Sequence, residues 1–177
     1  SESGHVIMPK IEWFYTGWEG PPSRVEWSKL ITEMTEDDGR NSKIIDRVID
    51  ACSKGRQVLV LSDRVDHCMS LSEAISSHGI VSSPLVGKMT KKQRAGILEK
   101  ANQKEIQVVC ATTVADEGLD LPSLDTIVLT TPTKALGRIQ QRIGRIMRPH
   151  ADKQQPIVID CIDSIGAMQG LARKRQR

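Results

Sequence analysis

Arg145 and Arg148 stand three residues apart in the segment Gln141-Arg142-Ile143-Gly144-Arg145-Ile146-Met147-Arg148, whose helical pattern stops at Pro149. At that spacing both side chains leave one face of a helix, one turn apart. Two forked cations so placed can clamp a triphosphate. A guanidinium stays charged at any working pH, meets phosphate oxygens in bidentate fashion, and suits the charge that develops on a transferred phosphoryl group. Gly144 keeps the helix slim for close approach, and Arg138 and Arg142 extend the stripe by a turn. A solvated helix face would have the same spacing, so the arginines alone leave both readings open.

The segment at 111–122 breaks the tie. It follows a nearly all-apolar stretch, IQVVCAT, and offers Thr112, Thr113, Glu117, Gly118 and Asp120 together. Hydroxyls and backbone amides there can bind phosphates, Gly118 permits close backbone approach, and a carboxylate such as Asp120 can bond ribose hydroxyls.

The elements that must position these groups read as alternating strands and helices. QVLVLS, IVSSPLVG, IQVVCAT, DTIVLTT and PIVIDCID are apolar runs of strand length. Between them lie helical patterns: one carries Ile44, Ile45, Val48, Ile49 and Cys52 and ends at Gly55. Another is capped by Asp63 or Asp66, carries Cys68, Leu71 and Ile75, and ends at Gly79; a third is KKQRAGILEKANQ behind Thr90. The arginine segment and a last stretch from Ser164 also read as helices. Buried strands separated by helices predict an α/β class with a mainly parallel sheet and helices on both faces. Ligands of such sheets meet the loops at the carboxyl ends of the strands, here SDR (62–64), GKMT (87–90), 111–122, 131–135 and 160–164.

The order LVLSDR, GKMTKKQR, VVCATTVADEGLDLP and QQRIGRIMRP resembles helicase motifs IV to VI, found in the second RecA-like domain of superfamily 2 helicases. The resemblance covers roughly residues 41–163. Within the superfamily, the run SLDTIVLTTP followed by GRIQQRIGRIMRP is most similar to the branch of XPB, UvsW and phage or viral DEAD/DEAH-like proteins, which act mainly on DNA. It implies a RecA-like three-layer fold, with Arg145 and Arg148 as arginine fingers reaching ATP held by another lobe. Gln141, Glu117, Gly118 and Asp120 would then stand at the nucleotide. Thr112, Arg64 and the Gly87-Lys88 turn would contact the backbone of a nucleic acid, DNA being favoured. On their own, Ser62 and Arg64 at a strand end serve equally as capping or surface residues.

Some parts of a complete motor are not in this sequence. SSPLVGKMT lacks the first glycine of a phosphate-cradling GxxxxGK[ST] loop and has Met89 in place of its hydroxyl residue. ADEGLD superficially resembles a magnesium-binding carboxylate pair, but its glycine and its place in the order fit the later motif. The resemblance therefore implies ATP and Mg2+ held mainly by a first RecA-like lobe of the same polypeptide, and this fragment alone is expected to be inactive. A catalytically retired lobe that only binds nucleic acid or protein is the alternative. A Rossmann domain would need GxGxxG after its first strand, and QVLVLSDRVDHC has no glycine.

The divisions expected are 1–40, an N-terminal aromatic-rich arm and short helix; 41–163, the RecA-like domain; and 164–177, a basic C-terminal helix. All three Trp residues and the single Phe and Tyr lie in the arm. They form either a clasp packed on the domain or a base-stacking platform. The 177 residues, 38% apolar and 27% charged with a net charge of +3, describe one ordinary domain and permit a polyanionic partner without requiring one. No apolar run approaches the roughly 20 residues of a membrane helix. The opening SESGHVIMPK does not read as a secretory signal and has no initiator Met, so a processed or excised fragment is expected. Cys52, Cys68, Cys110 and Cys161 lack metal-ligand spacing and read as buried reduced thiols, so no metal site and a cytoplasmic location are expected, the host cytoplasm for a viral protein.

Overall fold

The computed structural model describes residues 9–112, 119, 121–132 and 153–165. Its strands are β1 (Lys10–Tyr15), β2 (Val58–Ser62), β3 (Ser82–Leu85), β4 (Val108–Thr112), β5 (Thr126–Leu129) and β6 (Ile157–Ile162). Its helices are α1 (Trp27–Glu36), α2 (Asp38–Ser53), α3 (Val65–Ser76) and α4 (Lys91–Asn102). The six strands form one sheet in the order β1-β6-β5-β2-β4-β3, and every pairing is parallel. Parallel neighbours need crossover connections, and among the described residues helices lie between β1 and β2 (α1 and α2), β2 and β3 (α3), and β3 and β4 (α4).

Both faces of the sheet are covered, and β2 shows how its sequence supplies both. Val58 and Val60 face one core with Ile44 and Val48 of α2 and Cys68, Leu71 and Ile75 of α3. Leu59 and Leu61 face the other, with Ala101 of α4, Ile106 and Leu124, and Ile97 and Leu98 packed against it. The period-two alternation of a strand places successive side chains on opposite faces, so a continuous VLVLS run fills both cores. The result is the α/β sheet covered on both faces that the strand and helix order predicts, in the three-layer RecA-like arrangement that the motif resemblance implies.

The stretch VIMPKIEWFYTGW supplies β1, which pairs along its whole length with β6. The aromatic residues near it are largely used in packing: Phe14 lies against the first core, while Trp18 and Trp27 pack against Leu30, Ile31 and Met34 of α1. Tyr15 is exposed.

The helix ends explain the boundaries. α2 starts before Asn41, where the periodic pattern begins, because Asp37 accepts the Arg40 N–H at 2.8 Å and caps the helix there. Gly55, with φ at +77°, follows its C-cap, a conformation that costs a glycine little. Thr90 and Gln93 form a reciprocal capping box at the start of α4. The expected cap of α3 is corrected: neither Asp63 nor Asp66 fills it. Arg64 is the N-cap residue, without a side-chain cap bond, and Asp66 lies in the first turn. The Ser62 hydroxyl takes the Arg64 N–H instead, at 3.2 Å. The helices expected over 135–148 and from Ser164 onward lie outside the described residues, apart from Ser164 and Ile165.

Candidate functional site

The carboxyl ends of the strands gather several of the residues singled out in the sequence. Ser62 pairs with Thr112 in the register of β2 with β4, and Leu85 pairs with Ala111 in that of β3 with β4. Arg64, the turn at Gly87-Lys88 and Thr112 therefore all follow from one edge of the sheet. Thr112 is 5% exposed, so its hydroxyl belongs to the buried end of β4. Gly87 faces open space, with nothing within 4 Å of where a Cβ would stand.

Arg64 and Lys88, twenty-four positions apart in sequence, line one cavity of about 460 Å³. Thr32, Thr35 and Asn41 supply neutral polar groups to it, and Glu36, Asp38 and Asp66 supply three carboxylates. The site is thus mixed in charge: two cations can meet phosphate oxygens, and the hydroxyls, amide and carboxylates can bond sugar or base groups.

The Arg64 guanidinium is already held. Nη1 donates to Thr32 Oγ1 at 3.0 Å, and Nη2 donates to the Ser28 carbonyl at 2.9 Å and its hydroxyl at 3.3 Å. The backbone beneath it is fixed by a directed chain of bonds. The Arg64 N–H donates to Ser62 Oγ, which lies 2.8 Å from His67 Nδ1. His67 Nε2 lies 2.8 Å from Asn41 Oδ1, and Asn41 Nδ2 donates to the Thr35 carbonyl at 2.8 Å. Because Asn41 Oδ1 can only accept, the His67 proton sits on Nε2 and the Ser62 hydroxyl donates to Nδ1. Burial first, and the Arg40 cation second, push the His67 pKa down to about 3, so the ring is neutral and the chain of bonds keeps one sense.

The sequence reading gave His67 no role, although a signal was present: a histidine in the first helical turn, five residues after a strand-end serine. Among the described residues no group of three or more His, Cys, Asp or Glu could hold a metal ion. No helix among them is long and apolar enough to cross a membrane. Arg145, Arg148, Gln141, Glu117, Gly118 and Asp120 lie outside the described residues.

Comparisons with known proteins address the chain as a whole. The sequence profile described as "Helicase conserved C-terminal domain" matches residues 40–150. "Putative ATP-dependent RNA helicase L396" of Acanthamoeba polyphaga mimivirus is 30% identical over 144 residues, which is 81% of this chain and 27% of the relative. "Putative helicase 22" of Sulfolobus islandicus filamentous virus (isolate Iceland/Hveragerdi) is 29% identical over 136 residues, 77% of this chain and 24% of the relative. The chain thus spans about a quarter of the length of these curated relatives. Among solved structures, T4 UvsW superimposes with a TM-score of 0.71 at 21% identity, covering 87% of this chain and 32% of that one, a likeness of fold. With the profile covering well over half of its residues, the chain belongs to the family of the helicase conserved C-terminal domain.

Proposed function

We propose that this chain is the second motor lobe of an ATP-dependent nucleic-acid helicase or translocase. The observation that carries the reading is that the family match spans both the 111–122 loop and the Gln141–Arg148 segment, so the arginine pair occurs in the setting where its clamp chemistry applies. Arg145 and Arg148 would close over the γ-phosphate of ATP bound to a first lobe, with Gln141, Glu117, Gly118 and Asp120 beside the nucleotide. Mg2+ and the phosphate cradle belong to that first lobe, since neither the GxxxxGK[ST] loop nor the carboxylate pair occurs in this sequence. Arg64, Gly87 and Lys88 would hold one strand's backbone, with Thr112 buried at the strand end beside them, and each closure would change which phosphates they grip.

The unit that moves is residues 41–163, with 1–40 adding β1 and α1 and 164–177 a basic end. DNA is the favoured strand on the motif resemblance, and the RNA helicase name of one relative makes the comparison of DNA with RNA part of the test. The viral relatives support the expectation of a host-cytoplasmic protein.

In the whole polypeptide, Arg145→Ala should lower strand-stimulated ATP turnover by about a thousandfold or more while strand affinity stays within a few-fold. Turnover retained in that variant refutes the finger assignment. Stimulation measured with single-stranded DNA and RNA of equal length assigns the substrate. Tight strand binding without turnover in the unmodified protein would instead identify a retired binding lobe.

A further inference from the structure

The aromatic-rich segment that precedes the periodic part of the chain is not explained by the motor reading, and α1 is its least explained piece. Its apolar face is well seated: Leu30, Ile31 and Met34 are buried, and Trp18 and Trp27 pack over them. Its polar face is unusual in carrying Ser28 and Thr32 one turn apart, both directed at a single residue of another element, Arg64. Thr32 Oγ1 also donates to the Ser28 carbonyl at 3.0 Å, so two of the three acceptors of the guanidinium are themselves tied together.

An arginine on a surface loses rotamer freedom when it binds a ligand, at about 0.5–1.5 kcal/mol per immobilised side chain. Here that freedom is already lost. Three of the five N–H donors are engaged with α1, and among the described residues Nε and the second Nη1 hydrogen remain uncommitted. The α-carbon end is held as well, through Ser62, His67 and Asn41 to the carbonyl of Thr35, the residue that ends the same face of α1. One helix therefore fixes Arg64 at both its backbone and its guanidinium.

We infer that α1 is a positioning element for the strand grip: Ser28 and Thr32 hold the Arg64 guanidinium in the wall of the cavity it shares with Lys88, ready to meet a backbone phosphate. The inference rests on the reading of Arg64 as a phosphate contact. It gives the aromatic clasp a function, because Trp18 and Trp27 seat the helix that carries the two hydroxyls. Ser28 and Thr32 are positioning residues that act through Arg64.

The test uses the whole polypeptide, a fluorescein-labelled oligothymidylate and an oligouridylate of the same length, with affinity measured across a salt series. Ser28→Ala/Thr32→Val should weaken binding by roughly two- to tenfold while Arg64 is present, and by nothing further in an Arg64→Ala background. Arg64→Ala by itself should flatten the salt dependence of affinity by the equivalent of about one phosphate contact. An equal loss in both backgrounds would mean that the hydroxyls touch the strand themselves, and it overturns positioning. No loss in the Arg64 protein overturns it too. Should Arg64→Ala leave both affinity and salt slope unchanged, the phosphate reading of Arg64 fails and takes the inference with it, a result distinct from failure of the hydroxyl variants alone. Thr32→Ser, which keeps the hydroxyl, should bind as the unaltered protein does.

Discussion

Arg40 and Asp163 form a buried, two-pronged ion pair: Nε meets Oδ1 at 2.8 Å and Nη2 meets Oδ2 at 3.1 Å, with the two side chains 0% and 2% exposed. The pair joins the first turn of α2 to the residue after β6. The same arginine donates to the Thr130 carbonyl at the end of β5, and the Thr16 hydroxyl donates to Asp163. Arg40 Nη1 is buried without a partner among the described residues. Removing one member of such a pair leaves a charge in the interior, which costs about 3–5 kcal/mol. Arg40→Met should therefore lower the melting temperature by about ten degrees or more. Arg40→Met/Asp163→Leu should recover much of the loss, because both charges then leave the core together. Calorimetry of the two variants checks this, and equal melting temperatures would contradict it.

His67 makes stability depend on pH. Unfolded, it titrates near its ordinary 6.5; folded, burial and the Arg40 cation hold it down to about 3. As the pH falls below 6.5 the unfolded chain takes up a proton that the folded chain refuses. Its contribution is whole above that pH and is lost toward pH 3, at up to about 1.4 kcal/mol per pH unit. Urea unfolding at pH 7.5 and 5.5 should show a steeper loss for the unaltered chain than for His67→Gln, and parallel losses would contradict the assignment.

Three thiols should be silent in the folded chain. Burial pushes Cys52 up to about 11 and Cys68 up to about 12, the acidic neighbours Asp125 and Asp63 adding to the effect, and Cys110 is raised well above 9.0. Only a thiolate attacks an alkylating agent at a useful rate, so these cysteines should stay unlabelled by iodoacetamide at pH 8 and react fully in denaturant. Peptide mass mapping distinguishes the two states.

At the start of α4, Thr90 accepts the Gln93 N–H at 3.1 Å and Gln93 Oε1 accepts the Thr90 N–H at 2.9 Å. Thr90→Ala should cost about 1 kcal/mol and Thr90→Ser far less, read from urea midpoints at constant slope.

Much of the architecture was legible because it follows from local patterns. VLVLS, VVCAT and IVIDCI are apolar on both faces, and only a strand covered on both sides uses such a run. The cap at Thr90 and the glycine after α2 were equally readable, since each is fixed within a few residues, and the structure adds Gln93 as the second half of a capping box. The cap of α3 was misread for a physical reason. Asp63 and Asp66 have the right chemistry, but the Ser62 hydroxyl already takes the Arg64 N–H, and it is itself oriented by His67 from within the helix.

By itself, the sequence determined the class of fold, the order of β2 to β6 with α2, α3 and α4, and the family, because apolar periodicity and motif spacing are properties of neighbouring residues. Only the tertiary structure decided that β1 lies against β6, that Arg64 and Lys88 share a cavity, and that Arg64 is held by Ser28 and Thr32 of α1. Each of these joins segments far apart in the chain. Such contacts depend on which helix lies over which strand end, and no local pattern of residue types encodes that.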